Sequence, residues 1–163
     1  MSALRGPVPL DADHVLADFH CGDDALDVWL AARALRNQAD GSSRTWVVLD
    51  GRRVAAYYAS STAVLLRASA PGRVARNQPD PLPALLLGRL AVDAGYQGQG
   101  LGAALLKHFL LKSLEVAQLV GVRLLLVHAA TPEAAAFYEH HGFERSPIDE
   151  LTLLVLVTDL ARS

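Results

Sequence analysis

Cysteine is nearly absent from this 163-residue chain, where Cys21 stands alone. A single thiol excludes an internal disulfide framework and fits a reducing compartment. No apolar run reaches the roughly 18 residues that a membrane span needs. The N-terminal stretch MSALRGPVPLDADHVLADFH lacks the apolar core of a secretory signal. A cytoplasmic protein with no membrane partner is therefore expected. Internal repeats, low-complexity tracts and any sign of a second domain are also missing, so residues 1–163 read as one domain. A metal site is not expected either. His140 and His141 are neighbours on a predicted helix and face different ways, and no Cys or acidic cluster completes a ligand set.

What is present is a globular composition, 52% apolar and 20% charged, with a net charge of −2. The charge is unevenly spread. Residues 1–30 carry one Arg against six Asp, residues 31–92 nine Arg against three Asp, and residues 93–163 five bases against eight acids. A basic middle between acidic ends can create a local field for an anionic partner, although an ordinary solvated surface gives the same count.

Periodicity places the elements. DDALDVWLAARALRNQADG predicts one helix, with Asp23 or Asp24 as its cap and Gly41 as its end. RTWVVLDGRRVAAYYASSTAVLL predicts two strands joined at Asp50-Gly51. RASAPGRVARNQPDPLP reads as a long loop, and ALLLGRLAVD as a strand. From Gly100 a helix follows, with Leu101, Leu105, Phe109, Leu110 and Leu114 as its apolar stripe. VRLLLVHA is a further strand. TPEAAAFYEHHGF is a helix capped by Thr131, with Pro132 at its first position and Gly142 at its end, and LTLLVLV is a last strand. The expected fold class is α/β of the mixed (α+β) kind, helices layered on one central sheet.

Between the strand LLLGRLAV and the following helix lies YQGQGLG, three glycines in five residues. The first-turn N–H groups of a helix point outward and its dipole favours an anion, and glycine lets a phosphate approach the backbone. Gly98, Gly100 and Gly102 can equally be explained by a tight turn and close packing. A Walker loop is excluded because Gly100 is followed by Leu101 and Gly102, not Lys and Ser or Thr. A Rossmann fingerprint is excluded because the acid it needs about 20 residues later should sit at a strand end, and the nearest candidate, Glu115, lies inside a helix.

The surrounding residues are more specific. Gln97-Gly98-Gln99-Gly100-Leu101-Gly102 resembles the pyrophosphate loop of the GNAT acetyltransferases, Arg/Gln-x-x-Gly-x-Gly/Ala, and AAAFYEHHGF resembles that family's second signature about 35 residues later. The resemblance covers Ala84 to Phe143 by motif. It implies the GNAT fold, a mixed, mostly antiparallel sheet flanked by helices, with acetyl-CoA as cosubstrate at the strand–glycine loop–helix junction. The amides of Gln97, Gly98, Gln99, Gly100, Leu101 and Gly102 would hold the pyrophosphate. The backbone of Leu90, Ala91 and Val92 would hold the pantetheine arm and direct an N–H at the thioester oxygen. Tyr138 would donate its phenolic proton to the departing thiolate, while Phe137 reads as core. The family's Asn or Asp near the start of this helix is replaced by Thr131. No general base stands out, and His108 and His128 read as structural. An α-amine that titrates near about 8 needs little more than positioning.

FHCGDDALDVWL, GSSRTWVVLDGRRVAAYY and LLLGRLAVDAGYQGQGLG together resemble the GNAT toxins of bacterial toxin–antitoxin pairs. That resemblance implies acetylation of the free α-amine of aminoacyl-tRNA and a block of translation. It also implies a homodimer and a ribbon-helix-helix antitoxin as partner. Arg73, Arg76 and Arg89 are the expected tRNA contacts, with Arg33, Arg36 and Arg44 behind them; they would meet phosphates and make the reaction salt-sensitive. Cys21 reads as a structural thiol, not a nucleophile. Two alternatives stay open. One is a GNAT acetyltransferase for a small amine or a protein amine, whose site should carry carboxylates if the amine is a polycation. The other is an acyl-CoA-sensing module without chemistry.

Overall fold

A computed structural model describes residues 3–162. In chain order the elements are β1 (Leu4–Pro9), α1 (Asp24–Ala32), α2 (Ala34–Asp40), β2 (Arg44–Asp50), β3 (Arg53–Leu65) and α3 (Gly72–Ala75). These are followed by β4 (Leu82–Val92), α4 (Leu101–Ala117), β5 (Leu124–His128), α5 (Pro132–His140), β6 (Glu144–Arg145), β7 (Thr152–Leu156) and α6 (Val157–Ala161). The strand order is β1-β2-β3-β4-β5-β7-β6. β1/β2, β2/β3, β5/β7 and β6/β7 are antiparallel, and β4/β5 is parallel. The mixed, mostly antiparallel sheet expected from sequence is present. The residues cluster into two compact units, one holding the chain up to Ser61 with Gly88–Phe109, the other Thr62–Leu87 with Leu110 onward.

In the first unit, Asp23 caps α1 by accepting the Ala25 amide at 3.0 Å, and Asp24 and Asp27 lie in its first turn, where the dipole favours acids. Trp29 and Leu30 go into the core, where Trp29 stacks on Tyr57 and Phe19 meets the same ring edge-on. The single helix expected over this stretch is in fact two, with Arg33 at φ −124° between them. The hydrogen bonds run on through the kink: Arg33 N–H donates to Trp29 C=O and Asn37 N–H to Arg33 C=O, both at 2.8 Å. The apolar period therefore continues and leaves no mark of the kink in the sequence. The β2–β3 hairpin closes on the Asp50–Arg53 pair, with Gly51 at φ +64° in the turn. β1, which no sequence pattern announced, carries Pro7 and Pro9 and lies at an edge of the sheet, where missing N–H donors are tolerated. A Cβ on its Gly6 would fall 2.6 Å from the Val47 carbonyl oxygen, so only glycine fits there.

In the second unit, Leu124 and Leu126 of β5 and Leu154 and Leu156 of β7 form one buried face with Leu65, Val74, Leu82 and Ala84. Val74 belongs to the short helix α3 inside the stretch read from sequence as a long loop, and β4 begins at Leu82, within that same stretch. Arg123 fixes α3 by donating Nε and Nη2 to the Val74 carbonyl at 3.2 and 3.1 Å. Thr131 caps α5, its hydroxyl accepting from Ala134 N–H at 3.1 Å. β6 and α6 were not expected from sequence, being too short for a period to register.

Candidate active site

In the first unit β4 ends at Val92, and the chain turns at Asp93 into the glycine loop. Asp93 is 3% exposed. Its carboxylate accepts the His20 and Gly95 amides, both at 2.9 Å, and faces the Arg53 guanidinium at 3.5 Å. Burial by itself raises this carboxyl, but the three donors outweigh it and hold Asp93 below the ordinary range. The segment is tied down again by Ala94 N–H to His20 C=O at 2.8 Å. Tyr96 Oη donates to the Asp50 carboxylate. Gln97 Nε2 donates to the Val92 and Cys21 carbonyls at 2.9 and 3.1 Å. The residue that heads the motif thus braces the loop with its side chain.

Beyond Gln97 the loop is exposed. Gly98 and Gly100 have φ of +82° and +80°, a region costly for any residue with a Cβ, and nothing lies within 4 Å of where a Cβ would stand. These two glycines serve backbone conformation and leave open space above the chain. Gly100 C=O accepts from Ala104 N–H at 3.1 Å, which opens α4. The amides of Gly98, Gln99, Gly100, Leu101 and Gly102 have no acceptor among the described residues, as the first turn of a helix dictates. Along the end of β4, Ala91 is buried while Leu90 and Val92 are half-buried on the opposite face.

The second unit carries Tyr138, which is 6% exposed on α5. Its ring meets Phe143 and Phe137 edge-on at 5.9 and 5.2 Å. Burial pushes its pKa well above the usual phenol range, so the hydroxyl, already protonated at neutral pH, stays so into alkaline solution. That hydroxyl has no hydrogen-bond partner among the described residues. Phe137, expected in the core, is only half-buried, because α5 turns Tyr138 and Ala135 inward instead.

One family description, the acetyltransferase (GNAT) domain, matches residues 41–145, well over half of the chain. The chain belongs to the GNAT acetyltransferases. It is similar to a tRNA-acetylating toxin of Mycobacterium tuberculosis, 46% identical over 160 residues that cover 98% of this chain and 96% of that one. Among solved structures it resembles AtaT complexed with acetyl-methionyl-tRNAfMet, with a TM-score of 0.88, 28% identity, and coverage of 98% and 97% of the two chains. It also resembles a tyrosine-to-phenylalanine mutant of AtaT bound to the C-terminus of the antitoxin AtaR and acetyl-CoA, with a TM-score of 0.82, 27% identity, and coverage of 98% and 96%.

In this GNAT chain the three arginines singled out from sequence have different settings. Arg89, in the first unit, lies 4.3 Å over the Trp29 ring, so its guanidinium is held by a cation–π contact. Arg73, in the second, is shared between Glu144 and Asp159. Arg76 is exposed and makes no ion pair among the described residues, and the same holds for Arg33, Arg36 and Arg44. The Cys21 thiol donates to the Asp23 carbonyl at 3.5 Å, and burial first, with the Asp27 side chain, pushes its pKa to about 11. His108 is engaged through Nδ1 with the buried Tyr58 hydroxyl at 2.7 Å. Asp93 was missed from sequence, since a single acid after a strand carries no pattern. No group of three or more metal-ligating side chains is gathered among the described residues, and no helix there is long and apolar enough to cross a membrane.

Proposed function

We propose that this acetyltransferase moves the acetyl group of acetyl-CoA onto the free α-amine of aminoacyl-tRNA and so blocks translation, as the toxin of a toxin–antitoxin pair. The observation that carries the reading is 46% identity, over nearly the whole of both chains, to a tRNA-acetylating toxin. The AtaT complex with acetyl-methionyl-tRNAfMet, a likeness over almost the full chain, supports the same product class. The acetyl-CoA complex of an AtaT mutant supports the cosubstrate.

On this reading the amides from Gln97 to Gly102 hold the pyrophosphate in the space above Gly98 and Gly100. The backbone of Leu90, Ala91 and Val92 takes the pantetheine arm. Tyr138 is the acid: a phenol, protonated at neutral pH and with its hydroxyl open to a partner, delivers its proton to sulfur as the C–S bond breaks. Arg76, Arg89 and, once released from Glu144 and Asp159, Arg73 meet the phosphates of the acceptor stem. The two compact units act as one catalytic domain, a reading supported by β3, β4 and α4, which each run through both, and by the span of the family match. A ribbon-helix-helix antitoxin, a homodimer and a cytoplasmic site of action complete the proposal; the AtaR complex of the AtaT mutant supports an antitoxin partner.

The deciding experiment is transfer of labelled acetyl from acetyl-CoA to total charged tRNA, beside deacylated tRNA and a polyamine mixture, with wild type and Tyr138→Phe. Label on charged tRNA alone, reduced about 100-fold or more in the variant with acetyl-CoA binding intact, is the expected result. Label on polyamines alone refutes the acceptor. Equal rates for the two proteins refute the acid.

A further inference from the structure

The second unit contains a cavity of about 360 Å³ at the end of β5, beside His128. His128 and Thr152 are register partners across β5 and β7, so both side chains leave the sheet on one face, the face that buries Leu124, Leu126, Leu154 and Leu156 farther along. The apolar core ends at this pair, and the cavity begins. Its other walls are Leu65 and Ile148, which are apolar, and a loop pinned by the Ser146 hydroxyl donating to the Ser69 carbonyl at 2.7 Å.

The hydrogen bonds in the wall have one consistent direction. Thr152 Oγ1 donates to Asp149 Oδ2 at 2.9 Å, and Leu151 N–H donates to Asp149 Oδ1 at 3.0 Å. The Leu151 amide first and the Thr152 hydroxyl second hold the Asp149 carboxyl below its ordinary range, so it is an acceptor only. The one hydroxyl proton of Thr152 is thereby committed. Thr152 Oγ1 can then meet His128 Nδ1, 3.2 Å away, only by accepting from it. The imidazole proton is fixed on Nδ1, and Nε2 keeps a lone pair with no partner among the described residues. Asp149 is the one charged group that lines the cavity with His128 among those residues. His128 ends β5, and α5, which carries Tyr138, starts at Pro132; a connection of three residues separates the two elements.

We propose that His128 is the base of acetyl transfer, with the acceptor amine received in this cavity and Thr152 and Asp149 as positioning residues. The inference rests on the aminoacyl-tRNA reading above. The amine nitrogen forms the C–N bond to the thioester carbonyl as the C–S bond breaks. The proton that nitrogen must lose passes to His128 Nε2, and the thiolate takes the proton of Tyr138. The imidazolium then returns its proton through water to the phenolate, so the net transfer is one proton from nitrogen to sulfur. The Asp149–Thr152 relay orients the ring, so that Nε2 presents its lone pair to the amine.

The test compares wild type, His128→Gln, Thr152→Val, Thr152→Ser and Asp149→Asn in acetyl transfer to charged tRNA, with acetyl-CoA affinity measured alongside. Glutamine can still bond to Thr152 but has no basic nitrogen. His128→Gln should lower kcat about 100-fold with acetyl-CoA affinity within twofold, and added imidazole should restore part of the rate to His128→Gly. Thr152→Val and Asp149→Asn should lower kcat about tenfold, while Thr152→Ser stays near wild type. In ¹⁵N spectra of the resting protein His128 should carry its proton on Nδ1, and lose that preference in Thr152→Val. A wild type that acetylates charged tRNA while His128→Gln stays within threefold of it overturns this inference alone, as does a proton found on Nε2. A wild type inert on charged tRNA overturns the acceptor reading and this inference with it.

Discussion

Replacing Asp93 by asparagine should loosen the cofactor loop at its root. The carboxylate is buried and receives two backbone amides at 2.9 Å, with Arg53 at 3.5 Å. Asparagine keeps one acceptor oxygen but turns an NH₂ toward the second amide, so one charge-assisted bond is lost and one buried donor is orphaned. Bonds to charged groups contribute about 1.5–3 kcal/mol each, which gives an expected loss of about 2–3 kcal/mol. For a domain of this size that is a fall in Tm of about 5–10 °C. Urea denaturation at pH 7 should show the midpoint shifted with the slope unchanged. Acetyl-CoA affinity should fall about tenfold, because His20, Gly95 and Gln97 all brace the loop around this residue. The sign of the pH dependence is also fixed. The folded-state pKa of Asp93 is depressed, so its stabilisation is complete above the unfolded value of about 3.9 and is lost as pH falls through the lower folded value. The gap between wild type and Asp93→Asn should therefore close below about pH 4. A gap under about 0.5 kcal/mol at pH 7, or one that persists undiminished at pH 3, refutes the reasoning.

Gly98→Ala and Gly100→Ala should each lose about 1–2 kcal/mol of stability from backbone strain alone, since a Cβ meets nothing within 4 Å. Asparagine at either position should be milder, and calorimetric titration of acetyl-CoA should follow the same order. Arg76→Glu should weaken use of charged tRNA and flatten its salt dependence while leaving acetyl-CoA affinity intact; equal losses in both would remove it from the tRNA face. Arg73→Glu should show a stability loss as well, because it places a third carboxylate beside Glu144 and Asp159. Alkylation of Cys21 near pH 8 should run about 100-fold slower than that of free cysteine, as a thiol pushed to about 11 supplies little thiolate.

Features that depend on neighbours along the chain were legible before folding. Hydrophobic period and caps marked α1, α4, α5 and the Asp50-Gly51 hairpin, because 3.6-residue and 2-residue repeats and the residues that end them are local. Gly98 and Gly100 were legible for the same reason: a positive φ is a property of one residue. β1 escaped because its prolines resemble breakers until the strand is known to lie at an edge, and the kink at Arg33 escaped because hydrogen bonding and period run through it.

Tertiary structure alone decided what depends on residues far apart in sequence. Asp93 becomes the root of the loop only when His20, 73 positions away, presents its amide. The upward pKa shift of Tyr138 is set by burial, which no pattern within AAAFYEHHGF encodes. His128 reads as an unremarkable strand end until β7 brings Thr152 and Asp149 across to fix its proton. Spacing records covalent order. Proton positions and pKa values follow the local dielectric and the partners within about 3 Å, which this chain assembles only on folding.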